Sequence, residues 1–442
     1  MDKIIRMDDQ ENILDDLPPA DYANAYEVVQ MLAPDRPMHL LRPKMIYSRS
    51  SVFLENFPGI TAYAVRANPE PKVLGEIFSA GVDWYACETI EEIEIVSRAL
   101  PDARIMFTHP IKSEQSIEQA YKKHRVRIFV IDHPDELRKI RAHAGSNDAT
   151  LLVRVHGPSG AMQGEGYRYG CDIEKAAWLA NEVVEAGFKL GLSFHLGSQV
   201  LNPTLYDEAF LVVREVMYRA RFMLDMLCVG GGFPSIYEGL WPKPQTDYFN
   251  VVKRGIARLH LPRTCRVVCT PGRALVADAV SVLVRVEQRR GQLLYINDGL
   301  MGSLVNINLP WAQPPVRLVR PGRGTPRAKM DKYLFSGPSC HVEDMMPGPF
   351  YLPEDARPGD YVELGQLGAY AGCMHSAFHS LGWPEMVTVG DNPPIPKKEQ
   401  ELPADYHSGE YESDDDEDYE EPDIEYDGDL GPEDDEEEDG QR

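Results

Sequence analysis

The sequence lacks several features that would place it in common classes of protein. Its 442 residues contain no apolar run of 18 residues, and the N-terminal stretch MDKIIRMDDQENIL has no apolar core of the kind found in a secretory signal. The seven cysteines are scattered, and only Cys265 and Cys269 lie close together, without a second pair at zinc-ligand spacing. We therefore expect a reduced, cytoplasmic protein with no membrane span and no metal site.

Positive charge is also scarce, with 45 Lys and Arg against 70 Asp and Glu and a formal net charge of −25. Most of this excess lies in residues 410–442, where 20 acidic residues and one Arg give −19 and leave −6 for the rest. A block of like charge with little to bury predicts a disordered tail over 396–442, either solubilising or a docking site for a basic partner. No basic patch offsets this charge, so we expect no nucleic-acid partner.

Ahead of the tail, apolar β-type runs alternate with stretches of helical period. Eight such runs begin at residues 61, 82, 104, 127, 150, 191, 226 and 265. This pattern predicts an α/β fold, a (β/α)8 barrel of the TIM type, although a doubly wound open sheet fits the alternation almost as well. The barrel is favoured because the span of about 230 residues suits it and no Gly-x-Gly-x-x-Gly opens an early helix.

After Ala279 the pattern changes to short alternating strands between Gly, Pro and Asp turns. This change predicts a C-terminal domain of β-sandwich or barrel-like form. We expect an N-terminal segment over 1–43, partly disordered, with a strand at 38–41 that joins the β-domain. The barrel would then cover 44–279, the β-domain 280–395 and the acidic tail 396–442.

In a barrel, functional groups collect at the C-terminal ends of the strands, and phosphate binds to the loops after strands 7 and 8. The seventh predicted strand ends in three glycines, whose backbone can approach a phosphate closely, namely Gly230, Gly231 and Gly232. A flexible loop is the alternative reading of such a run. The eighth strand leads to Arg273, which is either a cation at the same rim or a surface ion-pair residue.

For two further side chains the sequence allows two alternative roles each. His195, at the end of the sixth predicted strand, is either a satisfied core residue or an aromatic ring that stacks on a planar cofactor, with Ser198 as a nearby hydroxyl. Cys340 lies in the Gly-Pro loop SGPSCHVED and is either an exposed reactive thiol or an inert half-buried one. Thiol reactivity requires a local change of pKa, which the sequence does not show.

The order and spacing of several motifs over residues 45–380 resemble the ornithine/diaminopimelate/arginine decarboxylase family, and most closely eukaryotic ornithine decarboxylases. The motifs are SFHLGSQ, VGGGFP, PGR, NDGLMGS, GPSCHVED and LGAYAGCMHSAF. The resemblance implies a barrel followed by a β-domain, pyridoxal 5'-phosphate as the cofactor and an amino acid as the substrate. It also implies a dimer in which the two subunits share their active sites.

The resemblance assigns roles to individual residues. His195 would stack on the pyridine ring, and Asp298 would contact the distal amine of the substrate. The phosphate would be held by Ser198, Gly230, Gly231, Gly232, Arg273 and Tyr370. Cys340 would be a catalytic residue, and the further substrate positions would be His341, Asp344 and Phe378. Cys340 and Phe378 would reach into the partner subunit's site, and Arg154 and Glu92 would lie nearby.

The chain departs from the family's pattern at four positions. The lysine that binds the cofactor covalently corresponds to Arg66, and the glutamate that pairs with the pyridine nitrogen corresponds to Thr270. Two aspartates are replaced by Ala86 and His341. An arginine does not react with an aldehyde as an amine does, and Lys72 is poorly placed to replace it. A histidine in place of an acidic group also argues against a diamino-acid substrate.

Two hypotheses of function remain. The first is a divergent pyridoxal-phosphate-dependent amino-acid decarboxylase with an unusual substrate, in specialised or polyamine metabolism. The second is an inactive homologue that forms a heterodimer with an active decarboxylase or sequesters its regulator, as antizyme inhibitors do. The active form would be a homodimer. A pyridoxal-phosphate-homeostasis barrel is disfavoured because proteins of that type lack a C-terminal β-domain.

Overall fold

The computed structural model describes residues 18–158, 160–164, 168–309, 311–322, 326, 329–380 and 382–398. The disorder predicted near the N-terminus and in the acidic tail falls largely on residues 1–17 and 399–442, which lie outside these ranges. Within the described ranges, no helix combines the length and the apolar character needed to cross a bilayer.

Eight parallel strands close into a barrel, which confirms the (β/α)8 prediction and rules out the open sheet. Strand β1, Met38–Leu41, precedes the barrel. The barrel strands are β2 (Ile60–Ala64), β3 (Trp84–Cys87), β4 (Arg104–Phe107), β5 (Ile128–Ile131), β6 (Thr150–Arg154), β7 (Lys189–Ser193), β8 (Met226–Cys228) and β9 (Arg266–Cys269). Closure depends on pairing between β2 and β9, in which Ile60 lies opposite Val268 and Thr61 opposite Cys269.

The α-helices follow the sequence alternation. In chain order they are α1 (Ala25–Leu32), α2 (Pro43–Asn56), α3 (Pro71–Ser79), α4 (Ile90–Ala99), α5 (Glu114–Lys122), α6 (Pro134–His143), α7 (Ile173–Glu185), α8 (Thr204–Ala220), α9 (Gln245–Leu259) and α10 (Arg273–Val276). Several begin at a side chain that accepts a backbone N–H of the first turn, as Thr89 does for α4 and Asp172 for α7. These caps fix where each helix leaves its loop at the barrel rim.

The barrel has an inner and an outer core because successive strand residues point to opposite faces. On β2, Ala62 belongs to the inner cluster and Tyr63 to the cluster under the helices. The inner cluster consists of Ala62, Trp84, Met106, Ile128, Val130, Leu152, Met226, Cys228 and Val268. The barrel is therefore filled by side chains, and a ligand has room only at its ends.

The strands after the barrel are β10 (Val280–Arg290), β11 (Leu293–Ile296), β12 (Val316–Val319), β13 (Met330–Ser336), β14 (Met345–Pro353), β15 (Tyr361–Leu364) and β16 (Glu385–Thr388). Together with β1 they form the second domain, a mixed sheet of eight described strands in the order β12-β15-β10-β11-β13-β14, to which β1 and β16 are added through the pairing of β1 with β10. Strand β1 pairs antiparallel with β10 and parallel with β16. The β-rich character predicted after Ala279 is confirmed, whereas the domain boundaries stay predictions.

Arg42 links the N-terminal strand to this sheet through a buried ionic network. Its side chain is 1% exposed and donates hydrogen bonds to Glu363 at 2.7 Å and Asp391 at 2.8 Å. It also donates to the hydroxyl of Ser281 at 2.8 Å. Because Glu363 is fully buried, removal of Arg42 would leave its carboxylate with only the half-exposed Arg317 as a cationic partner.

We expect Arg42→Ala to lower the free energy of unfolding by about 2–3 kcal/mol, because the buried carboxylate of Glu363 loses a buried counter-charge and keeps only Arg317. Chemical denaturation followed by circular dichroism measures this change. Lys122→Ala is the control, since Lys122 is 62% exposed in its pair with Glu118 and an exposed pair contributes little to stability. Equal, small changes for both variants would contradict the structural role given to Arg42.

Candidate functional site

A pocket opens at the C-terminal ends of the barrel strands. All eight strand ends contribute to its wall, as expected when parallel strands close into a barrel. Its lining includes most of the residues singled out from the sequence, namely Arg66, Ala86, Arg154, His195, Ser198, Gly230, Gly231, Gly232, Thr270, Arg273 and Tyr370. Sequence reasoning therefore selected residues that the fold brings together.

The glycine loop after β8 has a backbone that larger residues would not permit. Gly230 and Gly232 have φ angles of +67° and +93°. A Cβ atom on Gly230 would lie 2.2 Å from the carbonyl oxygen of Phe194, and one on Gly231 would lie 2.6 Å from that of Thr270. The loop thus presents bare backbone to the pocket, as a phosphate cradle requires.

His195 is oriented by this loop. The backbone N–H of Gly231 donates to Nδ1 of His195 at 3.1 Å, so Nδ1 is an acceptor and carries no proton. A neutral ring of this tautomer keeps its proton on Nε2. The ring is thereby fixed against the glycine loop, at the pocket wall.

Arg273 supplies a buried cation beside the loop. Its side chain is 4% exposed, and it donates hydrogen bonds to the hydroxyls of Tyr237 at 2.6 Å and Ser198 at 3.3 Å. The guanidinium carbon also lies 5.0 Å from the ring centre of Tyr370 and 5.1 Å from that of Trp311. A guanidinium held in this way, next to a hydroxyl and glycine backbone, suits a phosphate group.

Arg66 lies on the opposite side of Arg273 from the glycine loop, directly after the first barrel strand. It occupies the middle of a short 3-10 turn, Val65–Ala67, and its side chain is 38% exposed. Its Nη1 atom lies 3.0 Å from Oε2 of Glu88. Glu88 follows β3, and since β2 and β3 are neighbours in register, the two strand ends bring this ion pair together.

Glu92 contacts the ion pair of Arg66 and Glu88 through the backbone of Glu88. In the first turn of α4, its Oε2 accepts the backbone N–H of Glu88 at 2.6 Å. Burial raises the pKa of the Glu92 carboxyl to about 7, and repulsion from Glu88 adds to this, whereas the hydrogen bond and Arg66 oppose it. The carboxyl therefore changes charge near neutral pH.

Among the described residues that line the pocket there is no lysine. Lys72 donates to the carbonyl oxygen of Met386 at 2.7 Å, which directs its amine toward the β-domain. Lys112 is fully buried, donates to the carbonyl of Val130 at 2.7 Å and pairs with Glu136 at 3.1 Å. Burial lowers the pKa of Lys112 to about 8, but backbone carbonyls hold its amine.

Apart from Tyr370, the predicted residues of the β-domain do not line the barrel pocket. Cys340 is exposed on its loop, and the ring of His341 lies 6.2 Å from that of Phe378. Asp298 is 2% exposed, accepts the N–H groups of Gly299 and Ser303, and has its pKa raised by burial. It faces another cavity, together with Ser339 and His375.

Asp344 is a buried residue whose carboxylate connects two loops of the β-domain. It is 1% exposed, and its carboxylate accepts the N–H groups of Leu300 at 2.7 Å and Ser339 at 3.0 Å. These bonds hold the loop after β11 against the loop that carries Cys340. The substrate roles predicted for Asp298, His341, Asp344 and Phe378 stay predictions.

Sequence reasoning missed Glu88 and the aromatic cage around Arg273. The signal for Glu88 was present, because it follows the strand next to that of Arg66 and carries the opposite charge. Tyr237 and Trp311 lie in loops far apart in sequence, and no local pattern connects them to Arg273.

The fold and the rim together define a class: a (β/α)8 barrel with a pocket at its mouth that is lined by glycines and a buried arginine, followed by a β-domain. The family profile described as "Pyridoxal-dependent decarboxylase, pyridoxal binding domain" matches residues 44–277. Since this match covers more than half of the sequence, the chain belongs to the pyridoxal-dependent decarboxylase family, as the motifs predicted.

Known proteins support this assignment over most of the chain. The decarboxylase flvG of Aspergillus flavus is 28% identical over 342 residues, covering 72% of this chain and 77% of that protein. Ornithine decarboxylase of Schizosaccharomyces pombe is 26% identical and covers 72% and 75%. The solved lysine/ornithine decarboxylase of Vibrio vulnificus complexed with cadaverine has a TM-score of 0.72 at 27% identity, covering 84% of this chain and all of that one.

We expect Glu92→Gln to flatten the pH dependence of stability. The raised pKa means that neutral Glu92 stabilises the fold fully below pH 4.5, and that this contribution disappears as pH rises to about 7. Between those values the wild type should lose roughly 2–3 kcal/mol that the variant does not lose. Urea unfolding from about pH 5 to 8 measures the difference.

Glu94→Gln is the matched control, because Glu94 lies on the same helix but contacts the exposed Lys123. This variant should keep the wild-type slope over the same pH range. An unchanged slope in Glu92→Gln would contradict the account of the buried carboxyl.

Proposed function

We propose that this protein binds pyridoxal phosphate through its phosphate group, without a covalent bond, and no longer performs the ordinary reaction of its family. The observation that carries the proposal is the ion pair of Arg66 and Glu88 at the position assigned to the cofactor lysine. A guanidinium stays protonated at any physiological pH and does not add to an aldehyde. The pocket thus offers an ion pair where the family's chemistry requires an amine.

The phosphate end of the pocket supports cofactor binding. The glycine loop, the buried Arg273 and the Ser198 hydroxyl fit a phosphate by charge, hydrogen bonding and shape. His195 offers a ring at the wall for a planar pyridine. The residues present therefore fit the non-covalent part of the cofactor's interactions.

The pocket residues that would surround the ring and the aldehyde of the cofactor support loss of the ordinary reaction. Pyridoxal phosphate, when bound, supplies an electron sink that is strongest when its pyridine nitrogen is protonated. Thr270 offers only a hydroxyl there, and Ala86 offers no polar atom. The missing carboxylate at Thr270 weakens the electron withdrawal that loss of carbon dioxide requires, and Arg66 removes the covalent anchor.

We favour a regulatory role for this protein. It would form a heterodimer with an active decarboxylase or bind the regulator of that enzyme. The exposed apolar side chains of the loops near Cys340 support a protein partner. Val342 is 85% exposed, Phe378 43% and Trp383 68%. A homodimer, and a cytoplasmic location, stay predictions.

A second candidate is a divergent decarboxylase that works without covalent attachment, on an amino acid with no distal amine. The similarity to the decarboxylase flvG over 342 residues favours it, together with the complete phosphate end. Release of carbon dioxide from any member of an amino-acid panel, at a rate that Arg273→Ala abolishes, would establish this candidate over the first.

The Arg66→Lys variant tests the proposal directly. We expect the wild type to retain pyridoxal phosphate in equilibrium dialysis and to give no borohydride-stable adduct, whereas Arg66→Lys gives an adduct at position 66, detected by peptide mass spectrometry. An amine at that position reacts with the aldehyde, and a guanidinium does not.

Arg273→Ala serves as the control, because it should reduce cofactor retention about tenfold or more in either background by removing a charge-assisted contact to phosphate. A stoichiometric adduct on any lysine of the wild-type protein would overturn the proposal. Absence of retention by the wild type would do so as well.

A further inference from the structure

Arg273, the cation of the predicted phosphate site, is oriented by a tyrosine that lies outside the pocket wall. Its Nη1 atom donates to the hydroxyl of Tyr237 at 2.6 Å, and Tyr237 is 2% exposed. The Tyr237 ring packs edge-on against Trp311, with 5.6 Å between the ring centres. Tyr237 is not among the described residues that line the pocket. Its contact with a ligand there is therefore indirect, through Arg273.

Tyr237 begins a tight turn that ends at Leu240. The backbone N–H of each of these two residues donates to the carbonyl oxygen of the other, at 3.1 and 2.9 Å. Gly239 permits the turn because its φ is +72°, a left-handed conformation that favours glycine. The turn is thus closed on itself, and the position of the Tyr237 hydroxyl depends on what holds the turn in place.

The turn is held by residues 391–398, which we call the strap. The N–H of Lys397 donates to Oε2 of Glu238 at 3.1 Å, and the carbonyl oxygen of Lys397 accepts the N–H of Gly239 at 3.1 Å. The same carbonyl oxygen accepts the indole N–H of Trp241 at 3.2 Å. A single residue of the strap therefore bonds to two residues of the turn and to the residue that follows it.

At its other end the strap is anchored to the β-domain. The carboxylate of Asp391 accepts hydrogen bonds from Arg42 and Arg317, each at 2.8 Å. The three prolines between Asp391 and Lys397 are buried, and each fixes its own φ angle. The strap is thus a stiff connection between the β-domain and the turn that carries Tyr237.

We propose that the strap is a positioning element of the phosphate site. Through Glu238 and Trp241 it fixes the turn, and through Tyr237 the turn fixes the guanidinium of Arg273. This inference rests on the proposed function, because it concerns the phosphate of the bound cofactor. Tyr237, Glu238 and Trp241 are positioning residues, which act on the ligand through Arg273.

The orientation of Arg273 is important because an arginine binds phosphate directionally. Two parallel N–H bonds form only when the plane of the guanidinium faces the phosphate oxygens. Nε of Arg273 donates to Ser198 at 3.3 Å and Nη1 donates to Tyr237, and two bonds from different atoms fix the plane. Without the Tyr237 hydroxyl the side chain can rotate, and a ligand must order it on binding at a cost in affinity.

The test measures the dissociation constant of the full chain for pyridoxine phosphate, which has the phosphate but no aldehyde, by isothermal titration calorimetry. We expect Tyr237→Phe to weaken binding about fivefold, the equivalent of one hydrogen bond. Glu238→Ala and Trp241→Phe remove contacts one step further from Arg273, and each should weaken binding about threefold. Glu238→Gln keeps a side-chain oxygen that accepts from Lys397 and should stay within about twofold of the wild type.

Each variant is also combined with Arg273→Ala, because a residue that acts through Arg273 has no effect once that side chain is gone. In this background Tyr237→Phe, Glu238→Ala and Trp241→Phe should each change the dissociation constant by less than about twofold. Trp178→Phe is the matched control for Trp241→Phe, since Trp178 is 49% and Trp241 44% exposed, and it should leave binding unchanged. Thermal unfolding identifies any variant that does not fold, and the remaining variants then decide the test.

The outcomes separate the positioning role from the proposed function. Unchanged affinity in Tyr237→Phe, or equal losses with and without Arg273, would overturn the positioning role and leave the proposed function standing. A loss in Tyr237→Phe with none in Glu238→Ala or Trp241→Phe would overturn the role of the strap. Failure of the wild type to bind pyridoxine phosphate would overturn both proposals.

Discussion

Closure of the parallel barrel is the constraint on which the site depends. Pairing of β2 with β9 makes neighbours of the first and the last barrel strands, which are about 200 residues apart in sequence. Gly272 is so close to the first strand that a Cβ on it would meet the Cβ of Ala67 at 2.8 Å. Arg66 and Arg273 therefore lie on one rim, next to each other in the order of the strands.

Much of this arrangement was predictable from the sequence. The strand–helix alternation and the Gly230, Gly231 and Gly232 run follow from local patterning, and the eight strand ends must meet once the barrel closes. The two-domain fold and the family follow from motifs at distant points in the chain. These features are predictable because periodicity and glycine requirements are local properties of the backbone.

Other features depend on side-chain partners that no local pattern fixes. The sequence identifies Arg66 as a departure from the family, but only the pairing of β2 with β3 brings Glu88 to it. The pKa of Glu92 depends on burial under the ion pair, and the hold on Arg273 depends on Tyr237 and Trp311. The ion pair, the raised pKa and the contacts of Arg273 are all determined by packing and burial, which arise from the tertiary structure.

Replacement of a lysine by an arginine at this position changes its reactivity, its charge behaviour and its hydrogen-bond donors. An amine at that position exchanges between cofactor and substrate, whereas a guanidinium is a permanent cation with a fork of donors. In this protein Glu88 anchors the guanidinium of Arg66, which lines the same pocket as Arg273 and Ser198. Under the proposed function, the site keeps the means of binding the cofactor and loses the means of covalent exchange.

The most direct measurement is the ratio of dissociation constants of the wild-type protein for pyridoxal phosphate and pyridoxine phosphate. The two ligands share the phosphate and the ring, and only the first has an aldehyde. A site without a reactive amine should bind both with affinities that agree within about threefold. Binding of pyridoxal phosphate a hundredfold more tightly than pyridoxine phosphate would reveal a covalent bond and contradict the account.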